Sequence, residues 1–433
     1  MPLFTSDLEL SDDYPTIEPS LRLDFANARA LDPRITFTRA SVATYVGRDG
    51  LIKTAGVNEA RFDHDPTTGE SLGLLIEEER TNLITYSEDF SQDWNTVRAT
   101  ISINTTTAPD GTTTADSLIP NSFSSSDGYT RFYHTVSNST NYSYSIFVKQ
   151  KDSYFDYVYF NAAYDTQSGT GQQAWFRIDP GNGAVGTTTG GATATIEEYP
   201  NGWYRCTINT TSDATGSVPF VVVPVSADST TSFNGDGSMG VYLWGGQLEV
   251  GSFPTSYIPT SGSTVTREKE FPVIETSSID FSDFSQGGEG TLVCEFSNAG
   301  STGSDVAVCF SGDTHNGATF VGLGTNSNRN AFNRNRVNAT NTVLSTDSNF
   351  TTTGFYKVAF GIGQSRCTLA VKGSSSGVLE DTSVSYDSTP YTKLILGCDQ
   401  TSSSSNNMIN GTIKSVFYYP TLLTDTQLQT LTQ

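Results

Sequence analysis

Basic residues are scarce in this chain. Lys and Arg number 24 against 46 Asp and Glu, a formal net charge of −22, so the surface repels nucleic-acid phosphates and anionic membranes unless its cations cluster. The nearest approach to a cluster is Arg329, Arg334 and Arg336 in the Asn-rich run from Asn326 to Asn341. These read as a solvated loop rather than a stripe of charge, and no nucleic-acid partner is expected. No apolar run approaches membrane-spanning length, so membrane insertion is not expected either. The opening Met-Pro-Leu-Phe-Thr-Ser-Asp-Leu-Glu lacks the basic stretch and apolar core of a secretory signal. Cysteine is sparse: Cys206, Cys294, Cys309, Cys367 and Cys398 cannot all pair, and none forms C-x-x-C. Buried free thiols, and assembly in a reducing cytoplasm, are the expectation.

The side chains that carry catalysis are equally thin. His64, His134 and His315 are the only histidines, and nothing links any of them to Gly373-Ser374-Ser375-Ser376-Gly377, a Ser-rich turn rather than a nucleophile elbow. Paired-carboxylate chemistry needs both groups in one cleft. Glu77-Glu78-Glu79 and Glu197-Glu198 split between strand faces, while Asp152 and Asp156 share a face at a long separation. All read as solvated or turn-capping groups. Asp63-His64-Asp65 hints at a metal loop, but Thr68 occupies the position where a calcium loop turns on glycine, so a turn held by Asp side chains is expected. The sequence thus predicts no catalytic set, no metal and no cofactor.

What is abundant is short-period alternation. Hydrophobic residues make up 36% and aromatics 11% of the chain, arranged in brief apolar runs separated by Gly, Ser, Thr, Asn and Asp, the pattern of an all-β protein. In Asn141 to Lys149, Tyr142, Tyr144, Ile146 and Val148 share one face and Ser143, Ser145 and Lys149 the other, which predicts one core face and one wet face. Further strands are expected at Leu21 to Phe25, Ile35 to Tyr45, Tyr154 to Phe160, Gln172 to Asp179, Gly202 to Thr211 and Pro219 to Ser226. Val241 to Val250 closes the series, with Gly245-Gly246 as a bulge. Trp203 and Tyr204 fall on opposite faces, one inward and one outward.

Length and turn spacing divide the chain into an N-terminal arm, residues 1–20, and two β-sandwich domains, 21–267 and 268–433, with a seam at the charged run Arg267-Glu268-Lys269-Glu270. Leu3, Phe4, Leu8 and Leu10 are the apolar residues by which the arm would dock. In the second domain Gly290 to Asn298, Phe355 to Gly363, Thr392 to Asp399 and Thr412 to Tyr419 read as strands. Thr424-Asp425-Thr426-Gln427 reads as a capping box opening a short terminal helix.

Several separated motifs carry a resemblance. Asp65-Pro66-Thr67-Thr68-Gly69, Gly73-Leu74-Leu75-Ile76-Glu77, Arg80-Thr81-Asn82-Leu83, Trp244 to Glu249, Pro254-Thr255-Ser256-Tyr257-Ile258-Pro259-Thr260 and Thr266-Arg267 fall in the order of a module recurrent in bacteriophage virion proteins. Residues 21–267 thereby resemble a phage carbohydrate-binding-like jelly roll. Gly290-Thr291, Asn410-Gly411-Thr412-Ile413 and Leu423 to Leu431 resemble the laminin G and concanavalin A-like sandwich family, without an obvious calcium or sugar constellation.

These resemblances imply a non-enzymatic virion appendage of tail-fibre or capsid-fibre type, assembled in the host cytoplasm. It would join portal, tail or capsid proteins through its arm, with a homo-oligomer expected and a host-surface glycan as a candidate ligand. A purely structural decoration or connector protein is the alternative, and a polysaccharide depolymerase the second. Trp175, on the less apolar face of its strand, is the candidate for stacking on sugar. Arg329, Arg334, Arg336, Asp313 and His315 are the other candidate binding residues.

Overall fold

The computed structural model describes residues 13–28, 30–162, 171–213, 215–279, 289–298, 305–311, 318–323, 331–337, 340–345, 355–363, 366–372, 377–382, 392–398 and 408–433. Among the described residues the chain is all-β apart from single 3-10 turns and one helix, Asp425–Leu431. Two compact units divide it: residues 39–71 with 79–269, and residues 1–38 with 72–78 and 270–433. The division at 269/270 falls inside that charged run, two residues past the expected 267/268 boundary. Residues 21–38 and 72–78, however, belong to the unit built mainly from the C-terminal part of the chain.

The unit of residues 39–71 and 79–269 is a sandwich of two six-stranded antiparallel sheets. In sheet I the strand order is Thr193–Tyr199, Trp203–Thr211, Asn141–Gln150, Val241–Val250, Ala115–Pro120, Ala99–Thr106. In sheet II it is Ala184–Thr189, Gln172–Arg177, Tyr157–Ala162, Gly216–Val225, Tyr129–Val136, Asn95–Val97. The inner faces meet through aromatic contacts that fill much of the core: Tyr144 lies 5.2 Å from Phe160 and 5.5 Å from Phe220, and Phe160 lies 5.0 Å from Phe176. Burial on this scale is the main driving force for the fold.

The other face of sheet I departs from the expectation of a wet surface. Ser143, Ser145, Phe147, Arg205, Gln247 and Glu249 are all buried there, because the motif-bearing segments fold over it. Val46, Ile52, Ala108 and Tyr257 pack with Phe147, Tyr199, Trp203 and Trp244 into a second core. Trp203 and Tyr204 are consequently both buried, one in each core, rather than one facing out. The expected strand Ile35 to Tyr45 is two strands, Ile35–Thr38 and Ala43–Val46, falling in different units. At Gly245, φ is +63° and the pairing with Asn141–Gln150 shifts register between Ser145 and Phe147, which is the bulge the Gly pair allows.

The second unit is also a sandwich. One sheet runs Leu379–Asp381, Arg366–Val371, Tyr356–Gly363, Gly290–Phe296, Gly411–Tyr419. Leu21 to Asp24 pairs with Ser415 to Tyr418, and Leu74 to Ile76 pairs with Gly411 to Ile413, so two distant segments extend this sheet along one strand. The other sheet runs Ile35–Thr38, Phe271–Glu275, Lys393–Leu396, Asp305–Ser311, Ala318–Leu323, Ala331–Val337, Thr340–Ser345. Phe310 meets Tyr418 across the interior at 6.0 Å. On the opposite face of the first sheet, Leu423 and Leu428 pack on Val293, Ala359 and Ala370. The helix that presents Leu428 opens with the expected capping box: Thr424 accepts from Gln427 N, and Gln427 Oε1 accepts from Thr424 N at 3.0 Å.

All five cysteines are free and buried, as expected. No described helix is long and apolar enough to cross a membrane.

Candidate functional site

The recognisable motifs are scaffold. Arg80-Thr81-Asn82 pairs antiparallel with Val265-Thr266-Arg267. Asn82 and Gln247 knit the closing strand to the segment that follows it: Gln247 Oε1 accepts from Ile258 N at 2.7 Å, and its Nε2 donates to Glu249 and to the Thr255 carbonyl. Glu249 accepts from the N–H and hydroxyl of Thr255 at 3.0 and 2.5 Å. Arg205 spans Ser145 and the Thr255 carbonyl while its guanidinium lies over Phe147. Asn82, Arg205, Gln247 and Glu249 are buried and each finds hydrogen-bond partners inside the protein, the condition under which burial of charge is tolerated.

Asp63, Asp65 and Asp152 are engaged in holding backbone turns, and Asp156 is held by a side-chain amide. Asp65 Oδ1 accepts from the N–H groups of Thr67 and Thr68 at 2.9 and 2.7 Å, and Asp63 accepts from Val46 N. Asp152 accepts from Tyr154 N and Gly240 N, and Asp156 from the Gln150 amide. Among the described residues no group of His, Cys, Asp and Glu is arranged to hold a metal.

Trp175 does occupy the outer face of sheet II, but it is sealed there, with 4% of its surface exposed. Its ring stacks on Tyr159 at 4.5 Å and 27°, and its Nε1 donates to the Thr230 carbonyl at 2.7 Å. The turn at residues 227–230 covers it, so the expectation of an exposed sugar platform at Trp175 is corrected. Arg334 and Arg336 lie two apart on the strand Ala331–Val337, which pairs on both sides, rather than in a loop. Arg329, Asp313 and His315 lie outside the described residues, as do Leu3, Phe4, Leu8 and Leu10 of the arm.

The outer face beyond Trp175 is less closed: Asn95, Tyr133 and Thr189 are exposed there and Arg131, Asn161 and Gln173 half-buried, around a buried Val221. Cross-strand register places Asn95 opposite Arg131, Arg131 opposite Val221, Val221 opposite Asn161, Asn161 opposite Gln173 and Gln173 opposite Thr189. Directly opposed residues share a face, so these six side chains form one row running across the strands. At ~4.8 Å per strand the stretch from Arg131 to Gln173 spans about 14 Å, roughly two to three linked sugar rings. Tyr133, 44% exposed, and Pro219 border the row on one side; Val223, Tyr159 and Trp175 form the wall on the other.

The chemistry along this row is that of hydroxyl recognition. Arg131 is held by Asn95 Oδ1, which accepts from its Nε at 3.2 Å, and its guanidinium lies over the rings of both Tyr129 and Tyr133 at 5.4 and 4.9 Å. Gln173 Oε1 accepts from the Thr189 hydroxyl. Asn161 Oδ1 is buried with no hydrogen-bond partner, a state that costs roughly 1–3 kcal/mol until something donates to it. None of these residues was singled out by the sequence. They come from six strands, and only the register brings them together.

No family model matches this sequence. No curated protein matches it. Among solved structures, a heptameric SAP-like pentraxin from Limulus polyphemus aligns with 34% of this chain and 70% of its own at 15% identity and a TM-score of 0.29. The CBM40 of a Ruminococcus gnavus IT-sialidase, bound to α2,3-sialyllactose, aligns over 34% of this chain and 83% of its own at 14% identity and a TM-score of 0.29. Domains LG4-5 of the mouse laminin α1 chain align over 71% of this chain and 93% of their own at 10% identity and a TM-score of 0.25. At these scores the fold assignment rests on the chain's own strand order.

Proposed function

We propose that this chain is a non-enzymatic structural protein of a bacteriophage virion, an appendage that displays a glycan-binding β-sandwich. The observation that carries the binding half of this reading is the row from Arg131 to Gln173. It joins an exposed tyrosine, a fixed guanidinium and two carboxamides, one with a buried acceptor left unpartnered, on a flat sheet face. Carboxamides donate and accept at once, as vicinal hydroxyls require, and a tyrosine ring offers its face to the C–H side of a sugar. The virion half rests on the sequence motifs, several of which belong to sheet I or pack over it while Gly73 to Glu77 joins the other unit. Their scaffold role fits a module reused for its architecture.

Two measurements test the two halves separately. Adsorption of the labelled protein to host cells should saturate and fall at least tenfold in Tyr133→Ala and Asn161→Ala; non-saturable adsorption indifferent to both changes would remove the binding half. Antibody-gold labelling of purified particles with serum against residues 266–433 should mark fibres or tail tips. Label spread over the head would favour decoration, and no label would remove the virion half.

A further inference from the structure

Arg131 is the cation of the sheet II row, and among the described residues it shares with Arg48, Lys151 and Lys372 the lack of an ion-pair partner. Arg22, Arg34, Lys53, Arg98, Arg177 and Arg366 each lie within ion-pair distance of an Asp or Glu. Among the described residues, none does so for Arg131. Instead its Nε donates to a neutral carboxamide and its guanidinium lies over the rings of Tyr129 and Tyr133. With no acidic side chain answering it, the Arg131 guanidinium keeps its charge for an incoming anion. Arg177, on the same face beside Tyr157, makes the contrast: its guanidinium is answered by both oxygens of Asp179 at 2.5 and 3.1 Å.

We infer that the sheet II face takes an acidic glycan, one bearing carboxylate groups, with Arg131 reading the carboxylate and Asn161 and Gln173 reading hydroxyls of the adjoining ring. The inference rests on the glycan-binding reading above. With Nε committed to Asn95, the terminal N–H groups of Arg131 remain to grip a carboxylate side-on, a geometry that suits guanidinium and not ammonium. The Asn95 hydrogen bond and the two tyrosine contacts hold the guanidinium before the ligand arrives, so less freedom is lost on binding. The overall charge of −22 does not oppose this. At physiological ionic strength charges beyond about 8 Å are screened, so the groups at the contact decide the sign there.

The test is calorimetric titration of the full chain with oligomers of hyaluronan, alginate and polysialic acid, each beside its carboxyl-reduced counterpart, and with neutral dextran and mannan. The expected result is saturable binding to at least one acidic oligomer that is lost on carboxyl reduction. In Arg131→Gln that binding should weaken by about ten- to hundredfold, the loss expected for a hydrogen-bonded charge. Arg131→Lys should recover only a minor part, with thermal unfolding unchanged in both variants. Equal binding of the acidic and reduced forms, or binding indifferent to Arg131→Gln, overturns the acidic assignment while leaving a glycan-binding face. Binding to no member of the panel overturns both.

Discussion

The carboxamide of Asn82 serves as a strand partner for Leu248. Its Oδ1 accepts the Leu248 N–H at 3.1 Å, its Nδ2 donates to the carbonyls of Gly246 and Ile258, and the Leu83 N–H donates to the Leu248 carbonyl beside it. Where the Gly245-Gly246 bulge breaks the regular ladder, one fully buried side chain supplies the missing hydrogen bonds.

Asn82→Ala should therefore be among the most damaging single changes in this unit. It leaves two carbonyls and two N–H groups buried without partners, since Ile84 N also donates to Asn82 Oδ1. A loss of about 3–5 kcal/mol is expected from unsatisfied buried polar groups. Urea unfolding followed by tryptophan fluorescence measures it. A loss under 1 kcal/mol would mean that water replaces the carboxamide.

Period two made the strands legible, and the limits of that signal are physical. Tyr142, Tyr144, Ile146 and Val148 announced the inner face of their strand, but Ser143 and Ser145 on its other side read as wet because serine is small and polar. They are buried under Gln247, Glu249 and Arg205, groups whose own burial needs partners that no local pattern displays. The same cause hid the second core under Trp203 and Trp244. The capping box at Thr424 was legible because its chemistry is complete within four residues. Leu21 to Asp24 was legible as a strand but not as a neighbour of Ser415 to Tyr418, because nothing local encodes a partner so far along the chain. The ligand face is the extreme case: Asn95, Arg131, Val221, Asn161 and Gln173 are ordinary residues until register aligns them.

Trp175 gives a test of scaffold against site. Trp175→Phe keeps an aromatic against Tyr159 and removes the hydrogen bond to the Thr230 carbonyl, at a cost of about 1 kcal/mol. Trp175→Ala removes the stack and should cost ~3–5 kcal/mol. Glycan affinity should survive the first change. A loss of affinity in Trp175→Phe at unchanged stability would restore Trp175 as a contact residue.

The cysteines predict slow thiol chemistry. All five are buried, and burial pushes the thiols of Cys206 and Cys294 up, away from the reactive thiolate. Ellman's reagent should titrate close to none in the native protein and all five in denaturant. Fast reaction of any thiol in the native state would show an opening motion in its strand.

Asp116 predicts a pH dependence of defined sign. The side chain is fully buried, with Oδ2 accepting from Phe90 N at 2.8 Å and Oδ1 from Asn104 N at 2.9 Å. Burial outweighs those two hydrogen bonds and raises its pKa to about 6. An unfolded aspartate titrates near 3.9, so between pH 4 and 6 the folded state holds the proton more tightly. Stability from this group is therefore fully present below pH 4 and falls as pH rises through 6, by about 3 kcal/mol. Asp116→Asn cannot titrate, and its amide oxygen still accepts one of the two N–H groups. The gap between wild type and variant in urea unfolding should accordingly shift in the variant's favour by that amount from pH 4 to 7. Parallel profiles would mean that Asp116 ionises as freely folded as unfolded. A shift in wild type's favour would mean that the Phe90 and Asn104 N–H groups stabilise the carboxylate by more than its burial costs.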